Sequence, residues 1–161
     1  MTRDRFISEV RTCQGPLRQF LASLCGDTAL ADDIAQEALV RAYVASDRFV
    51  GNFKAWLFRI AYNCFIDTLR RLPPSPLSID SAEVMREADG AIGARPDGAF
   101  RNEELRQALA RIPEKERTAI ILHYFEDLSV NEIAAVMQIP AGTVKYHLSM
   151  GRTRLKQYIR L

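Results

Sequence analysis

The chain has 161 residues, 48% of them hydrophobic and 26% charged, with a formal net charge of +2 at pH 7. That balance excludes a disordered or fibrous chain and leaves room for one ordinary domain or two small ones. The near-neutral total conceals a division along the chain, since residues 1–72 carry ten Lys/Arg against eight Asp/Glu, residues 73–100 two against five, and residues 101–161 ten against seven.

Apolar residues recur at three- and four-residue steps and strand-like alternation is nowhere sustained, so the chain reads as all-α. The N-terminal Met1–Phe6 is charged but leads into no apolar run of signal-peptide length, and no stretch approaches the ~20 apolar residues of a membrane span. A cytoplasmic protein without membrane insertion is the expectation. A first helix is expected from about Arg3 to Cys13, interrupted at Gly15-Pro16. A second continues from Pro16 to about Leu24, proline being well placed in a first turn. After the turn at Gly26-Asp27, a third helix carries Leu30, Ile34, Ala38 and Val44 on an apolar face, with Asp32, Asp33, Gln36, Glu37 and Arg41 opposite. Beyond the short segment 46–52, a fourth helix runs from about Phe53 to Leu72 with Trp56, Leu57, Ile60, Phe65 and Leu69 as its ridge. Four helices thus make the first domain, residues 1–72.

Cys13, Cys25 and Cys64 are widely spaced, with no C-x-x-C pair and no neighbouring His pair, which points to buried thiols in a reducing compartment and to no disulfide framework or zinc site. From residue 73 to 100 the texture changes to prolines at 73, 74, 76 and 96, glycines at 90, 93 and 98 and many small residues, the pattern of a linker. Helical pattern returns from Arg101 to Arg111 and restarts at Pro113, with Glu114 and Glu116 in the dipole-favourable first turn, to about Phe125. Ser129-Val130-Asn131-Glu132 has the form of a capping box and opens a short helix to Met137. Gln138–Gly142 breaks that helix, and a last one runs from Gly142 or Thr143 to the C-terminus. Two short helices around a tight turn form a helix-turn-helix in the second domain, residues 101–161.

From Ala141 onward there are five basic residues, Lys145, Arg152, Arg154, Lys156 and Arg160, and no acid. A solvated helix normally mixes signs, because opposite charges one turn apart support each other, so a helix of one sign ending a helix-turn-helix points to phosphate. In such a unit the second helix enters the major groove, which makes Lys145, Tyr146 and Ser149 candidate base readers, while Val144 and Leu148 point inward. Ile133, Ala134 and Met137 form the inner face of the preceding helix.

The stretch Leu128-Ser129-Val130-Asn131-Glu132-Ile133-Ala134, followed by Gly142-Thr143-Val144-Lys145 and Arg152-Thr153-Arg154-Leu155-Lys156, resembles region four of the extracytoplasmic-function (group 4) sigma factors of the sigma-70 family. Asp32-Asp33-Ile34-Ala35-Gln36-Glu37-Ala38-Leu39-Val40-Arg41-Ala42-Tyr43 and Phe53–Asn63, with its Trp-Leu-x-Arg-Ile-Ala-x-Asn pattern, resemble region two of the same family. The resemblance covers nearly the whole chain. It implies two small helical domains on a flexible linker and a non-enzymatic, promoter-reading subunit of RNA polymerase that needs no cofactor, metal or catalytic residue.

The resemblance further implies that Asp33, Gln36, Glu37 and Arg41 meet the clamp helices of the polymerase largest subunit, with the β flap as a second contact. Asn52, Phe53, Lys54, Arg59, Asn63, Arg70 and Arg71 are implied at the −10 element, where the loop 49–53 captures a flipped base and Lys54 and Arg59 meet phosphates. Thr143, Lys145, Tyr146, His147, Ser149, Arg152, Arg154 and Lys156 are implied at the −35 element. An anti-sigma factor is an implied partner, and the acidic linker is consistent with a strand-mimicking path through the active-site channel. The sequence departs from the family within the recognition helix, where Tyr146-His147 replaces the common Ser-Arg and Met150-Gly151 the common Arg-Ala.

Two other classes fit the sequence less well. A nuclease would need a metal shell, yet Asp32 and Asp33 diverge on a helix and no His or further acidic cluster completes one. A helix-turn-helix regulator with no polymerase role would bind its operator unaided, whereas a sigma factor needs core enzyme.

Overall fold

The computed structural model describes residues 1–72 and 103–159; the expected linker, Arg101 and Arg160 lie outside the described residues. The described residues contain seven α-helices: α1 Arg3–Cys25, α2 Thr28–Val44, α3 Phe53–Arg71, α4 Glu103–Arg111, α5 Glu114–Ile120, α6 Val130–Met137 and α7 Ala141–Tyr158. A single 3-10 turn, Ser46–Arg48, joins α2 to the loop before α3, and α5 ends in a π-helical turn, Ile121–Phe125.

The break expected at Gly15-Pro16 does not occur, so the first half has three helices where four were expected: α1 runs unbroken with Pro16 inside it. An interior proline costs about 3 kcal/mol. Continuity keeps Phe6 and Cys13 in phase with Leu17, Phe20, Leu21 and Leu24, all buried. Each large apolar side chain removed from water contributes about 1.5–3 kcal/mol, so the packed face outweighs the local penalty. Helix α1 ends at Gly26, whose φ of 69° is the left-handed C-cap that glycine adopts without strain. Asp27 then caps α2, its side chain accepting from the Leu30 amide.

The ridge of α3 is largely as expected, with Leu57 and Phe65 buried and Trp56, Ile60 and Leu69 half-buried. On α2, Ile34 and Ala38 are buried, but Val44 is 72% exposed at the helix end, past the last turn that α1 and α3 cover. In the second half the capping box is complete: the Ser129 hydroxyl accepts from the Glu132 amide, and the Glu132 carboxylate accepts from the Ser129 amide. Gln138 closes α6 in the left-handed conformation at φ 56°, and α7 follows directly from Pro140, one residue earlier than expected.

Gly151 explains one departure from the family pattern. A methyl group there would stand 3.0 Å from Ile120 Cγ1 and 3.4 Å from Glu116 Cβ, so its absence lets α7 lie against α5. Helix propensity favours alanine over glycine by about 1 kcal/mol, whereas overpacking costs about 1–3 kcal/mol. Gly151→Ala is therefore expected to lower stability by about 1 kcal/mol in a urea titration, and a gain in stability would show that Ile120 moves aside freely.

The halves are docked on one another and share one hydrophobic core, where the sequence led us to expect loose tethering. Helix α6 packs along α3, and α5 reaches α1.

Candidate nucleic-acid interface

Three surfaces collect the residues singled out by the sequence. On α2, Asp33, Gln36 and Glu37 are exposed on one face. Arg41 sits one turn beyond Glu37 and bonds it, Nη2 lying 3.1 Å from Oε1, with its other amino group 3.7 Å from Asp67 on α3. Asp32 is turned aside by Arg18 of α1 at 2.9 Å. A shallow cleft between α2 and α3, lined by Asp33, Glu37, Arg41, Asp67 and Arg71, gives this face a carboxylate-rich relief.

The second surface is the loop 49–52 with the start of α3. Gly51, at φ 95°, supplies the left-handed turn that shapes the loop. Asn52 is the N-cap of α3, its Oδ1 accepting from the Ala55 amide. Phe53 does not face outward: it is buried, in an aromatic cluster with Phe6, Phe49 and Trp56 whose ring centroids lie 5.2–5.8 Å apart. That cluster holds the loop from beneath. Arg59 is exposed, Asn63 half-buried, and Arg70 and Arg71 exposed at the helix end.

The second half covers part of this surface. The Asn52 Nδ2 donates to Glu132 Oε2 at 2.8 Å. The Lys54 ammonium lies 3.0 Å from Glu126 Oε1 and donates to the Glu126 carbonyl at 3.1 Å. Burial pushes the Glu126 carboxyl above its ordinary value, and Lys54 partly offsets that push. Further along α3, the buried Tyr62 hydroxyl donates to Glu114 Oε2 and accepts from Lys115 Nζ, each at 2.8 Å. A cleft of about 380 Å³ remains between Trp56 and Arg59 on one wall and Asn131 and Ala135 of α6 on the other.

The third surface is α7. Val144 and Leu148 point inward as expected, and Lys145, Tyr146, Ser149, Arg152 and Lys156 are exposed. Thr143 and His147 are half-buried, and the His147 Nδ1 is turned away from solvent. Arg152 donates to the Tyr124 hydroxyl at 3.1 Å, a neutral partner that leaves its charge available. Arg154 is different. Its Nε donates to both carboxylate oxygens of the nearly buried Glu116, at 2.9 and 3.2 Å, so it ties α7 to α5.

Sequence reasoning also passed over Arg117. It is 1% exposed, and its guanidinium donates to the Leu109 and Ile112 carbonyls at 2.9 Å each, capping the end of α4. Its only sequence signal was its place at the junction between the charged stretch Glu114-Lys115-Glu116 and the apolar run Ala119-Ile120-Ile121-Leu122. Cys13, Cys25 and Cys64 are free and buried, and burial pushes the Cys25 thiol up to about 12. No group of three or more His, Cys, Asp or Glu among the described residues is placed to hold a metal ion, and no described helix is long and apolar enough to cross a membrane.

Comparison with known proteins gives this geometry its context. Residues 10–72 match the family model for sigma-70 region 2, and residues 102–155 match that for sigma-70, region 4. The ECF RNA polymerase sigma factor SigW of Bacillus subtilis is 35% identical, the match covering 98% of this chain and 90% of SigW. The ECF RNA polymerase sigma-E factor of Escherichia coli is 39% identical over 74% of this chain and 69% of its own length. Among solved structures, the sigma factor RpoE of Bartonella quintana, in its co-crystal structure with the anti-sigma factor NepR, superposes with a TM-score of 0.78 at 27% identity over 98% of each chain.

Proposed function

Since this chain belongs to the ECF RNA polymerase sigma factors of the sigma-70 family, we propose a division of labour among its three surfaces, with the residues that carry each part. It directs promoter-specific initiation from within the cytoplasm, and it performs no catalysis of its own. Residues 1–72 form the core-binding and −10-reading unit and residues 101–161 the −35-reading unit, joined through 73–100. Within that family we place it with the group 4 members, a reading that rests on the region-two and region-four motifs of its sequence.

The observation that carries the reading is the pairing, in one chain, of a carboxylate-rich face on α2 with a helix-turn-helix whose α7 holds no acid among its described residues. Asp33, Gln36, Glu37 and Arg41 form the contact with core polymerase, a face where Asp33 is left without a cation partner among the described residues and Arg41 is paired to Glu37 and Asp67, suited to a basic partner. On the −10 element, Asn52 and Asn63 supply amides for base edges, Lys54, Arg59, Arg70 and Arg71 supply charge for the strand, and Phe53 acts from beneath by fixing the loop. On the −35 element, Lys145, Tyr146 and Ser149 lie where base edges pass, flanked by Thr143 and His147, with Arg152 and Lys156 on phosphates and the β flap as this unit's polymerase contact. An anti-sigma factor is the proposed inhibitor, by analogy with the RpoE–NepR complex.

Arg154 alters the expected salt dependence. If Lys145, Arg152 and Lys156 each neutralise one phosphate, the log–log slope of −35 duplex binding is about −2.7; counting Arg154 would make it about −3.6. Alanine at any of the three is expected to flatten the slope by about one unit. Arg154→Ala is expected to leave the slope unchanged but to lower stability by about 1–3 kcal/mol, because Glu116 is left buried without its partner. A salt series by fluorescence anisotropy, paired with thermal unfolding, separates the two. Equal flattening by Arg154→Ala would return it to the phosphate contacts.

The test of the whole reading is run-off transcription with purified core polymerase on a genomic promoter pool, followed by start-site mapping. Discrete start sites that depend on this chain are expected. Sequence-specific operator binding by the chain alone, with no initiation when core is added, would favour a simple regulator instead.

A further inference from the structure

We propose that Tyr146 sets the −35 preference of this chain by reading a thymine methyl group with its ring. The inference deepens the reading of α7 as a duplex-binding helix and rests on it. Tyr146 lies in the second turn of α7 and is 59% exposed. Val144, Leu148 and Gly151 are the buried side of that helix, and at about 3.6 residues per turn Tyr146, Ser149 and Thr153 fall on the opposite side. A tyrosine ring left facing water has apolar surface to bury in a complex, and with two side-chain torsions it loses little freedom in doing so.

The remaining donors narrow the chemistry. The first half of α7, residues 141–150, is the part that meets base edges in such a unit, and it contains no arginine and one lysine, Lys145. The two arginines of α7 lie beyond it and are engaged elsewhere, Arg152 on the Tyr124 hydroxyl at 3.1 Å and Arg154 on Glu116 at 2.9 Å. The guanidinium fork that reads guanine through two bonds is therefore absent from the base-reading half, and Lys145 alone supplies a cation for guanine. What a phenol ring recognises and a lysine does not is the C5 methyl of thymine, the one apolar group by which the major groove distinguishes a base.

Tyr146 is also held ready. The His147 imidazole meets its ring edge-on, with centroids 5.8 Å apart at 62°, and His147 is itself half-buried with its Nδ1 sealed from solvent. A ring braced by an anchored neighbour has less freedom left to lose on contact. A methyl group against that ring removes apolar surface from water on both partners, whereas the hydroxyl only exchanges a water molecule for a base edge, so discrimination rests with the ring.

The experiment reconstitutes holoenzyme from core polymerase and one of four full-length chains: wild type, Tyr146→Phe, Tyr146→Ser or Lys145→Ala, each matched to wild type by circular dichroism. Start sites directed by wild type on a genomic promoter pool give the −35 element. Fluorescence anisotropy then measures binding to duplexes carrying that element, with each thymine in turn replaced by deoxyuridine, which pairs identically but lacks the methyl. Wild type and Tyr146→Phe are expected to lose about fourfold in affinity at one thymine, the effect of one buried methyl-sized group. Tyr146→Ser should bind the unmodified duplex more weakly and show no deoxyuridine penalty at that thymine. Lys145→Ala should weaken every duplex and keep the penalty, which separates a lost reader from a lost cation. An element without thymine, a penalty that survives Tyr146→Ser, or one that vanishes in Tyr146→Phe overturns the proposal. Start sites that share a −35 sequence, with no penalty that depends on Tyr146, sink this proposal alone. Initiation without a shared −35 sequence, or no initiation, sinks the reading of α7 beneath it as well.

Discussion

Reversing two charges on α2, Asp33→Arg with Glu37→Arg, is expected to weaken capture of core polymerase by more than about tenfold while the chain keeps its helical content. Both side chains are exposed, and surface changes away from special features usually shift stability by no more than about 0.5 kcal/mol. A like-charge juxtaposition at an interface costs several kcal/mol, and each 1.4 kcal/mol is a factor of about ten in affinity. One structural consequence has to be controlled. Glu37 holds Arg41, so Glu37→Arg also frees that guanidinium, leaving Asp67 as its remaining partner at 3.7 Å. Glu37→Gln alone is therefore the milder arm, expected to give a smaller loss in the same direction. The measurement is co-purification with core polymerase alongside matched circular dichroism. A folded double variant that binds core with wild-type affinity would remove the α2 face from the polymerase contact.

Arg117→Ala is expected to cause the largest loss of stability of any single substitution considered, about 3–5 kcal/mol. The guanidinium is the donor for the Leu109 and Ile112 carbonyls at the end of α4, and a buried polar group left unsatisfied costs about 1–3 kcal/mol. The vacated volume adds a cavity term, since Arg117 is the largest fully buried side chain among the described residues. Arg117→Lys is not expected to rescue, because a point ammonium cannot bridge two carbonyls as the planar fork does. Thermal unfolding followed at 222 nm is expected to shift down by roughly 10 °C for a chain of this size. A melt within a degree or two of wild type would mean that the two carbonyls find other donors and that Arg117 is dispensable.

The sequence by itself determined the features that depend on residues a turn or two apart. Apolar spacing set the helices and their inner faces, and Ser129 and Glu132, three residues apart, set the start of α6. Val144 and Leu148 were assigned inward and are buried, because a single face of a helix suffices to place them. Family motifs in the right order carried the functional assignment. Tertiary structure decided what depends on partners far along the chain. Pro16 stops a helix locally but is carried through one whose buried face is worth more. Arg154 looked like its basic neighbours until folding brought Glu116, 38 residues away, beneath it. Lys54 and Asn52 read as strand-binding groups, yet their partners lie 72 and 80 residues on, in the other half of the chain. A charge's sequence neighbours fix which helix face it occupies, but whether it is spent inside the protein or left for a ligand depends on what packs against that face, and that is settled only when distant elements meet.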